Sequence, residues 1–456
     1  MKKTAGKIQT GDGNREEIAC GGIPGRAAGA TLLYERWREV ARARRGQIAL
    51  REAGSGQACT FAQLFSDGER HGAQNERVFP QGHSAEFILD LLSAWREGRV
   101  ACPLEPGQAP PRVSPPPEPC VHLKCTSATT GTGRLVALTA AQLAADADNI
   151  VATMGLRADW PNLGVVSLAH SYGFSNLILP LLLHGIPLVL APSPLPEIVR
   201  RAAAGERSLT VAAVPALWRA WHEAGAIPEN VRLAISAGAP LPLKLETEIY
   251  KANGLKIHNF LGASECGGIA YDATDAPRTD AALAGPPLQN VRLALDENGC
   301  LVVRSRAVAE TYWPERSPLL DGGVFQTNDL AELKAGRVFL RGRLSDQINV
   351  AGRKLPPETV ERALLAHPRV RECLVLGAPG PGALADRTEI IVAVVASDAR
   401  ESELRQFLLE RLPAWQVPRE WRFVESIAVN ARGKMPRHEW RRTLTSTPGP
   451  DGISCG

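Results

Sequence analysis

Between residues 165 and 235 the chain carries four short apolar runs: Val165-Val166-Ser167-Leu168, Pro187-Leu188-Val189-Leu190, Leu209-Thr210-Val211-Ala212-Ala213-Val214 and Val231-Arg232-Leu233-Ala234-Ile235. Segments with helical spacing, such as Leu217 to Ala224, separate them. Strand and helix in alternation build an α/β sheet with helices on its faces, and strands covered on both faces need no polar alternation. Beyond Arg341 the pattern changes. A helix (Glu358 to Ala366), two strands (Arg371 to Leu376 and Glu389 to Val395), a helix (Glu401 to Leu412) and a strand (Trp421 to Val424) suggest a small separate α+β unit. The expected fold is therefore α/β, with a large N-terminal domain over 1–344 and a small α+β C-terminal domain over 345–456.

Two to four domains fit 456 residues at roughly 150 per domain. Residues 1–30 and 445–456 are expected to be loose, and 106–119, with Pro110-Pro111-Arg112-Val113-Ser114-Pro115-Pro116-Pro117, a Pro-rich surface connector. Before it, Leu32 to Arg45 and Phe87 to Trp95 read as helices. Lys and Arg number 52 against 48 Asp and Glu, a net charge of +4, so the composition gives no reason to expect nucleic acid. The nine cysteines show no CxxC pair and no zinc-like spacing with His, and read as reduced thiols. No apolar segment follows the N-terminal lysines, and no run approaches the ~18 apolar residues of a membrane span. A cytoplasmic protein is expected.

The chemistry concentrates first in Thr126-Ser127-Ala128-Thr129-Thr130-Gly131-Thr132-Gly133-Arg134. It lies between two extended runs, Cys120 to Cys125 and Leu135 to Leu138, and a capping-box start at Thr139-Ala140-Ala141-Gln142 follows. A Gly- and Thr-rich turn leaving a strand offers backbone amides and hydroxyls to phosphate oxygens, and an arginine adds a bidentate donor. An ordinary polar turn has the same composition, and the Walker pattern GxxxxGK[ST] is absent.

In company the loop says more. It resembles the signature TSGTTGxPKGV of the adenylate-forming enzymes, the AMP-binding superfamily of acyl-CoA synthetases, luciferases and peptide-synthetase adenylation domains. Seven further stretches resemble that family's motifs in its order. These are His170-Ser171-Tyr172-Gly173, Ser236-Ala237-Gly238-Ala239-Pro240-Leu241, Leu261-Gly262-Ala263-Ser264-Glu265, Thr327-Asn328-Asp329 with Gly342-Arg343-Leu344-Ser345-Asp346, Gly352-Arg353-Lys354-Leu355-Pro356-Pro357-Glu358, and Arg432-Gly433-Lys434.

The resemblance implies roles for these residues. Thr126, Ser127, Thr129, Thr130, Gly131 and Arg134 would hold the ATP phosphates, and Gly238, Ala239, Pro240, Asn259, Phe260, Leu261 and Gly262 the nucleotide. Ser264 would stand beside the α-phosphate. Asp329 and Arg343 would grip the ribose hydroxyls, and Glu265 would hold Mg²⁺, an ion that favours hard oxygen ligands. Lys434 would stabilise the charge that accumulates as the acyl-adenylate forms. His170 would gate an acyl pocket beside Tyr172, Phe174 and Leu177-Ile178-Leu179, with Trp218 nearby. Gly352 lies in the loop used by CoA or by a carrier protein's phosphopantetheine.

Several positions depart from the family pattern. Ala128 replaces Gly, Gly133 the Pro, and Arg134 the Lys, a planar fork in place of a point charge. Leu261 stands where a Tyr usually lies against adenine, which offers Phe260 as the alternative stacking ring. Ser345 stands at the usual pivot, where a small residue can absorb a torsion change. The region before the loop is shorter than in most relatives. The implied activity is ATP-dependent activation of a fatty or aryl carboxylic acid, then transfer to a thiol, most readily CoA. A carrier-protein ligase and a non-catalytic nucleotide- or acyl-binding homologue are the alternatives.

Overall fold

The computed structural model of the chain describes residues 30–72, 77–126, 134–379 and 389–427, together with 437, 440 and 441. Among these residues the large domain is built on three sheets. The widest has eight strands, in the order Gly267–Tyr271, Ile257–Ala263, Val231–Ser236, Leu209–Ala213, Asn162–Gly164, Leu188–Leu190, Ile48–Glu52 and Ala58–Thr60. Its six inner strands are parallel to their neighbours and the two edge strands antiparallel.

The uninterrupted apolar runs follow from this architecture. Leu209, Val211, Ala213 and Ala234 enter one core with Trp218, Trp221 and Ile249, while Ala212, Leu233 and Ile235 enter the larger core on the opposite face. Each strand buries both sides, so its sequence shows no period of two. Helix Pro215–Glu223 supplies the two tryptophans, in edge contact at 5.2 Å between ring centroids.

A five-stranded sheet, Thr311–Trp313, Leu135–Thr139, Cys120–Cys125, Val100–Ala101 and Arg77–Val78, carries the hydroxyl-rich loop at one hairpin. At the end of that hairpin Thr139 caps helix Ala140–Met154 through a reciprocal capping box with Gln142. Another antiparallel sheet includes Val324–Lys334 and Arg337–Arg343. In the small domain Val370–Pro379, Glu389–Ser397 and Glu420–Phe423 form a sheet packed by helices Pro357–Leu365 and Glu401–Leu409.

Two local expectations are corrected. Val165 to Leu168 is not a strand, because the strand ends at Gly164 and the chain leaves the sheet there, with Val165 buried and Val166 half-buried. The Leu217 helix begins earlier, at Pro215, whose fixed φ suits a first helical turn. The seven described cysteines are all free thiols, five of them buried. Among the described residues no helix is long and apolar enough to cross a membrane.

Candidate active site

In the wide sheet the chain runs from Asn162–Gly164 to Leu188–Leu190 on one side, then returns to Leu209–Ala213 on the other. That reversal opens a crevice at the carboxyl ends of the strands, where open α/β sheets bind ligands. Residues 165–170, Val214, the turn 237–240 and Ser264-Glu265 all follow directly from carboxyl ends along this edge. Three of the sequence-identified motifs, those at 170–173, 236–241 and 261–265, are therefore neighbours by topology.

His170 is half-buried and caps the short helix Ser171–Gly173, its Nδ1 accepting from the Tyr172 amide at 3.3 Å. Gly173 is required by contact: a Cβ there would overlap the Ser167 carbonyl oxygen. The helix continues as a π-turn, Phe174–Ile178. Ser171 donates to the Ser264 hydroxyl at 2.7 Å, tying the histidine segment to the Leu261-to-Glu265 motif.

The expected acyl lining is corrected here. Phe174, Leu177, Ile178 and Leu179 are at most 1 % exposed and belong to the main core, as does the buried Tyr172, whose hydroxyl reaches the carbonyls of Ala213 and Ile235. Trp218 is fully buried in the core on the other face of the sheet. An apolar run after a motif looks the same whether it lines a pocket or fills a core. Phe260 is likewise no free stacking surface: it is buried, with Tyr172 at 6.1 Å between centroids, while Leu261 is half-buried. Asn259 donates to the Leu283 carbonyl at 3.1 Å. In the turn after Val231–Ser236, Gly238 and Pro240 are exposed and Ala239 half-buried; Gly262 is exposed as well.

Glu265 accepts a hydrogen bond from the Tyr312 hydroxyl at 3.0 Å, and the Tyr312 ring lies 5.3 Å from the Arg134 guanidinium. Burial, then the nearby Glu265 charge, raises the Tyr312 pKa, so it remains a donor. Sequence reasoning missed Tyr312. The signal available was its place in a strand, Thr311–Trp313, that pairs with Leu135–Thr139. The hydroxyl-rich loop is closed at its neck: the Thr126 amide donates to the Arg134 carbonyl (2.8 Å) and the Arg134 amide to the Thr126 hydroxyl (3.0 Å). Ser127, Thr129, Thr130 and Gly131 lie outside the described residues, as does Lys434.

Asp329 and Arg343 are register partners on adjacent strands, and Arg343 Nε donates to Asp329 Oδ1 at 3.0 Å. Gly352 follows Ala351 in a two-residue turn between Ile348–Val350 and Arg353–Leu355, both with positive φ, as tight hairpins require. These segments thus offer a carboxylate held by a tyrosine, a carboxylate–guanidinium pair, two linked hydroxyls and a closed loop neck. A single carboxylate at Glu265 fits an ion held mainly by phosphates and water. Among the described residues the one three-ligand cluster, His71, Glu86 and Asp90, involves none of these motifs.

The AMP-binding enzyme family matches residues 38–313, more than half of the chain. The chain belongs to the AMP-binding enzymes. The C-terminal domain of that family matches residues 359–434. Among curated AMP-binding relatives, feruloyl-CoA synthase of an Amycolatopsis species is 28% identical over 343 residues, covering 70% of this chain and 69% of the relative. The 2-succinylbenzoate–CoA ligase of Bacillus mycoides is 28% identical over 344 residues, with the same coverage. The ATP-bound MatB structure from Rhodopseudomonas palustris is 20% identical with a TM-score of 0.80, covering 91% of this chain and 99% of that one, a likeness of fold. The chain is thus a member of the adenylate-forming, acyl-CoA synthetase-like ligases, with a large N-terminal and a small C-terminal domain.

Proposed function

We propose that this ligase uses ATP to convert an aryl or fatty carboxylic acid to its acyl-adenylate, and then transfers the acyl group to the thiol of CoA. The observation that carries the reading is the paired Asp329 and Arg343, joined in family order by the Ser171–Ser264 and Tyr312–Glu265 hydrogen bonds at the sheet edge. The two curated relatives are named for CoA esters of aromatic acids, which favours an aryl acid. Free thiols throughout the described residues suit the reducing cytoplasm.

In the first step a substrate carboxylate oxygen forms a bond to the α-phosphorus of ATP and the bond to the β-phosphate oxygen breaks, releasing pyrophosphate. In the second the thiol sulfur attacks the acyl carbon and AMP leaves. Asp329 accepts from the ribose hydroxyls while Arg343 fixes its carboxylate. Ser264, held by Ser171, places a hydroxyl at the α-phosphate, and Arg134, steadied over Tyr312, faces the departing pyrophosphate. Glu265, oriented by Tyr312, would hold Mg²⁺, which when bound neutralises phosphate charge. Lys434 would bridge the acyl carboxylate and the α-phosphate. This is positioning and charge stabilisation without a covalent enzyme intermediate.

Carboxylate-dependent pyrophosphate exchange with a panel of acids tests the reading. Exchange is expected with an aryl acid, and Lys434→Ala should lower it at least ~10²- to 10³-fold with ATP binding largely kept. Full exchange in Lys434→Ala would remove the lysine from this role, and no exchange with any acid would favour a binding protein. Thioester formation on a holo carrier protein but not on CoA would reassign the acceptor.

A further inference from the structure

The strand that leads into the hydroxyl-rich loop carries half of a buried ion pair. Lys124 stands two residues before Thr126 on Cys120–Cys125 with 2 % of its side chain exposed, and Asp146 stands on helix Ala140–Met154 with 1 % exposed. Lys124 Nζ lies 3.8 Å from Asp146 Oδ2 and donates to the Ser175 hydroxyl at 3.3 Å. That hydroxyl donates in turn to Asp146 Oδ2 at 2.6 Å. The other carboxylate oxygen, Oδ1, accepts from the Gly268 amide at 3.0 Å. Gly267 has φ +67°, and a Cβ there would overlap the same carboxylate.

Every one of these contacts falls beside a motif. Lys124 precedes the loop, and the helix that carries Asp146 is capped by Thr139 at the end of the loop's hairpin. Ser175 lies in the π-turn that follows His170 to Gly173, and Gly267 and Gly268 stand two and three residues after Glu265. The Glu265 carboxylate is held by Tyr312 and its carbonyl accepts from the Ala309 amide at 2.8 Å, so Asp146 supplies the hold on the chain that follows. A pair buried this deeply adds little net stability over apolar side chains of similar volume, because desolvation offsets the attraction. What it supplies here is direction: Lys124 and Ser175 both approach Oδ2, which leaves Oδ1 to the Gly268 amide.

We propose that Asp146 is the positioning residue for the Glu265 turn: anchored at Oδ2 by Lys124 and Ser175, it holds the Gly267–Gly268 backbone through Oδ1 and so sets where the Glu265 carboxylate meets ATP-bound Mg²⁺. Asp146 acts through the backbone and touches neither metal nor nucleotide. The inference rests on the proposed role of Glu265 as the Mg²⁺ ligand.

The test uses the full-length enzyme and two double variants that remove both charges together, so that neither is left buried alone. Lys124→Met with Asp146→Asn keeps an oxygen that can accept from the Gly268 amide; Lys124→Met with Asp146→Leu has similar volume and no acceptor. After thermal melts confirm folding, calorimetry measures the Kd for ATP with Mg²⁺ and with EDTA in its place. The Leu double variant is expected to raise the Kd for ATP with Mg²⁺ ~10- to 100-fold, the scale of losing a group that orients a metal ligand, and to leave the Kd in EDTA within about 3-fold. The Asn double variant should recover most of that loss. If neither double variant folds, Ser175→Ala, which removes one anchor of Oδ2, carries the same comparison with an expected loss of about 10-fold. Equal losses with and without Mg²⁺, an Asn double variant as weak as the Leu one, or a folded Leu double variant with unaltered Mg²⁺ dependence would overturn the proposal. Should Glu265→Gln weaken binding of ATP with Mg²⁺ while the Leu double variant does not, only this inference fails; should Glu265→Gln leave it unchanged, the reading of Glu265 fails and takes this inference with it.

Discussion

Each domain contains a cluster of charged side chains, and the two are built to different rules. In the large domain Lys256 and Arg278 meet Glu246 and Asp272, two cations and two anions, all almost wholly buried. Arg278 bonds Glu246 at 2.9 Å and the carbonyls of Leu283 and Leu241 at 2.9 and 2.7 Å, while Lys256 reaches Asp272 at 2.7 Å and also bonds Glu246. Burial raises the Asp272 pKa, but hydrogen bonds from Lys256 and Thr274 more than offset it and the net shift is downward. In the small domain a single arginine serves three carboxylates. Burial raises the Glu358 pKa to about 7, against the pull of Arg437 and with the added push of Glu361 and Asp346. The balanced cluster ties helix Leu243–Asn253 to the strands that follow it. The unbalanced one has more carboxylates than cations, and within it Glu358 titrates near neutrality.

The largest effect should come from unbalancing the first cluster. Glu246→Gln leaves Lys256 and Arg278 buried with one anion, and is expected to cost about 3–5 kcal/mol in denaturant unfolding. A loss below about 1 kcal/mol would mean that the cluster is not a structural brace. The second prediction concerns pH. The folded pKa of Glu358 lies above its ordinary 4.5, so its contribution to stability is fully present below about 4.5 and is lost as pH rises through about 7. The charges acting on it are Arg437, Glu361 and Asp346, while Arg362, one turn on in the same helix, interacts with it and with Arg341 and Asp280. Glu358→Gln should remove this decline, on the order of 2 kcal/mol between pH 5 and 8 for a partly exposed group, measured as unfolding free energy against pH; an unchanged profile would assign the decline elsewhere. The smallest effect belongs to Asp346→Asn. Removing one surplus anion should leave stability within about 0.5 kcal/mol at pH 7 and move the Glu358 titration to lower pH, readable by carboxyl NMR. A move to higher pH would contradict the surplus-charge description.

Much of the fold was legible because its cause is local. The capping box at Thr139, the apolar runs of the doubly covered sheet and the helix–strand order of the small domain each depend on residues a few positions apart. The site was legible where a motif supplies both of its partners, as with Asp329 and Arg343 across one hairpin. It was not legible where the partner comes from far along the chain. Tyr312 reaches Glu265 from 47 residues away, and Arg437 reaches Glu361 from 76. Phe260 and the residues after Tyr172 misled for another reason: hydrophobicity states that a side chain is hidden from water, and a ligand hides it as well as a core does.

The closed neck between Thr126 and Arg134 has an evolutionary consequence. Two hydrogen bonds complete the hairpin before residues 127–133 begin, so the register of the sheet does not depend on what those residues are. The loop is a cassette on a fixed mount. Substitutions such as Ala128 and Gly133 can accumulate there while the strands that present the loop keep their pairing.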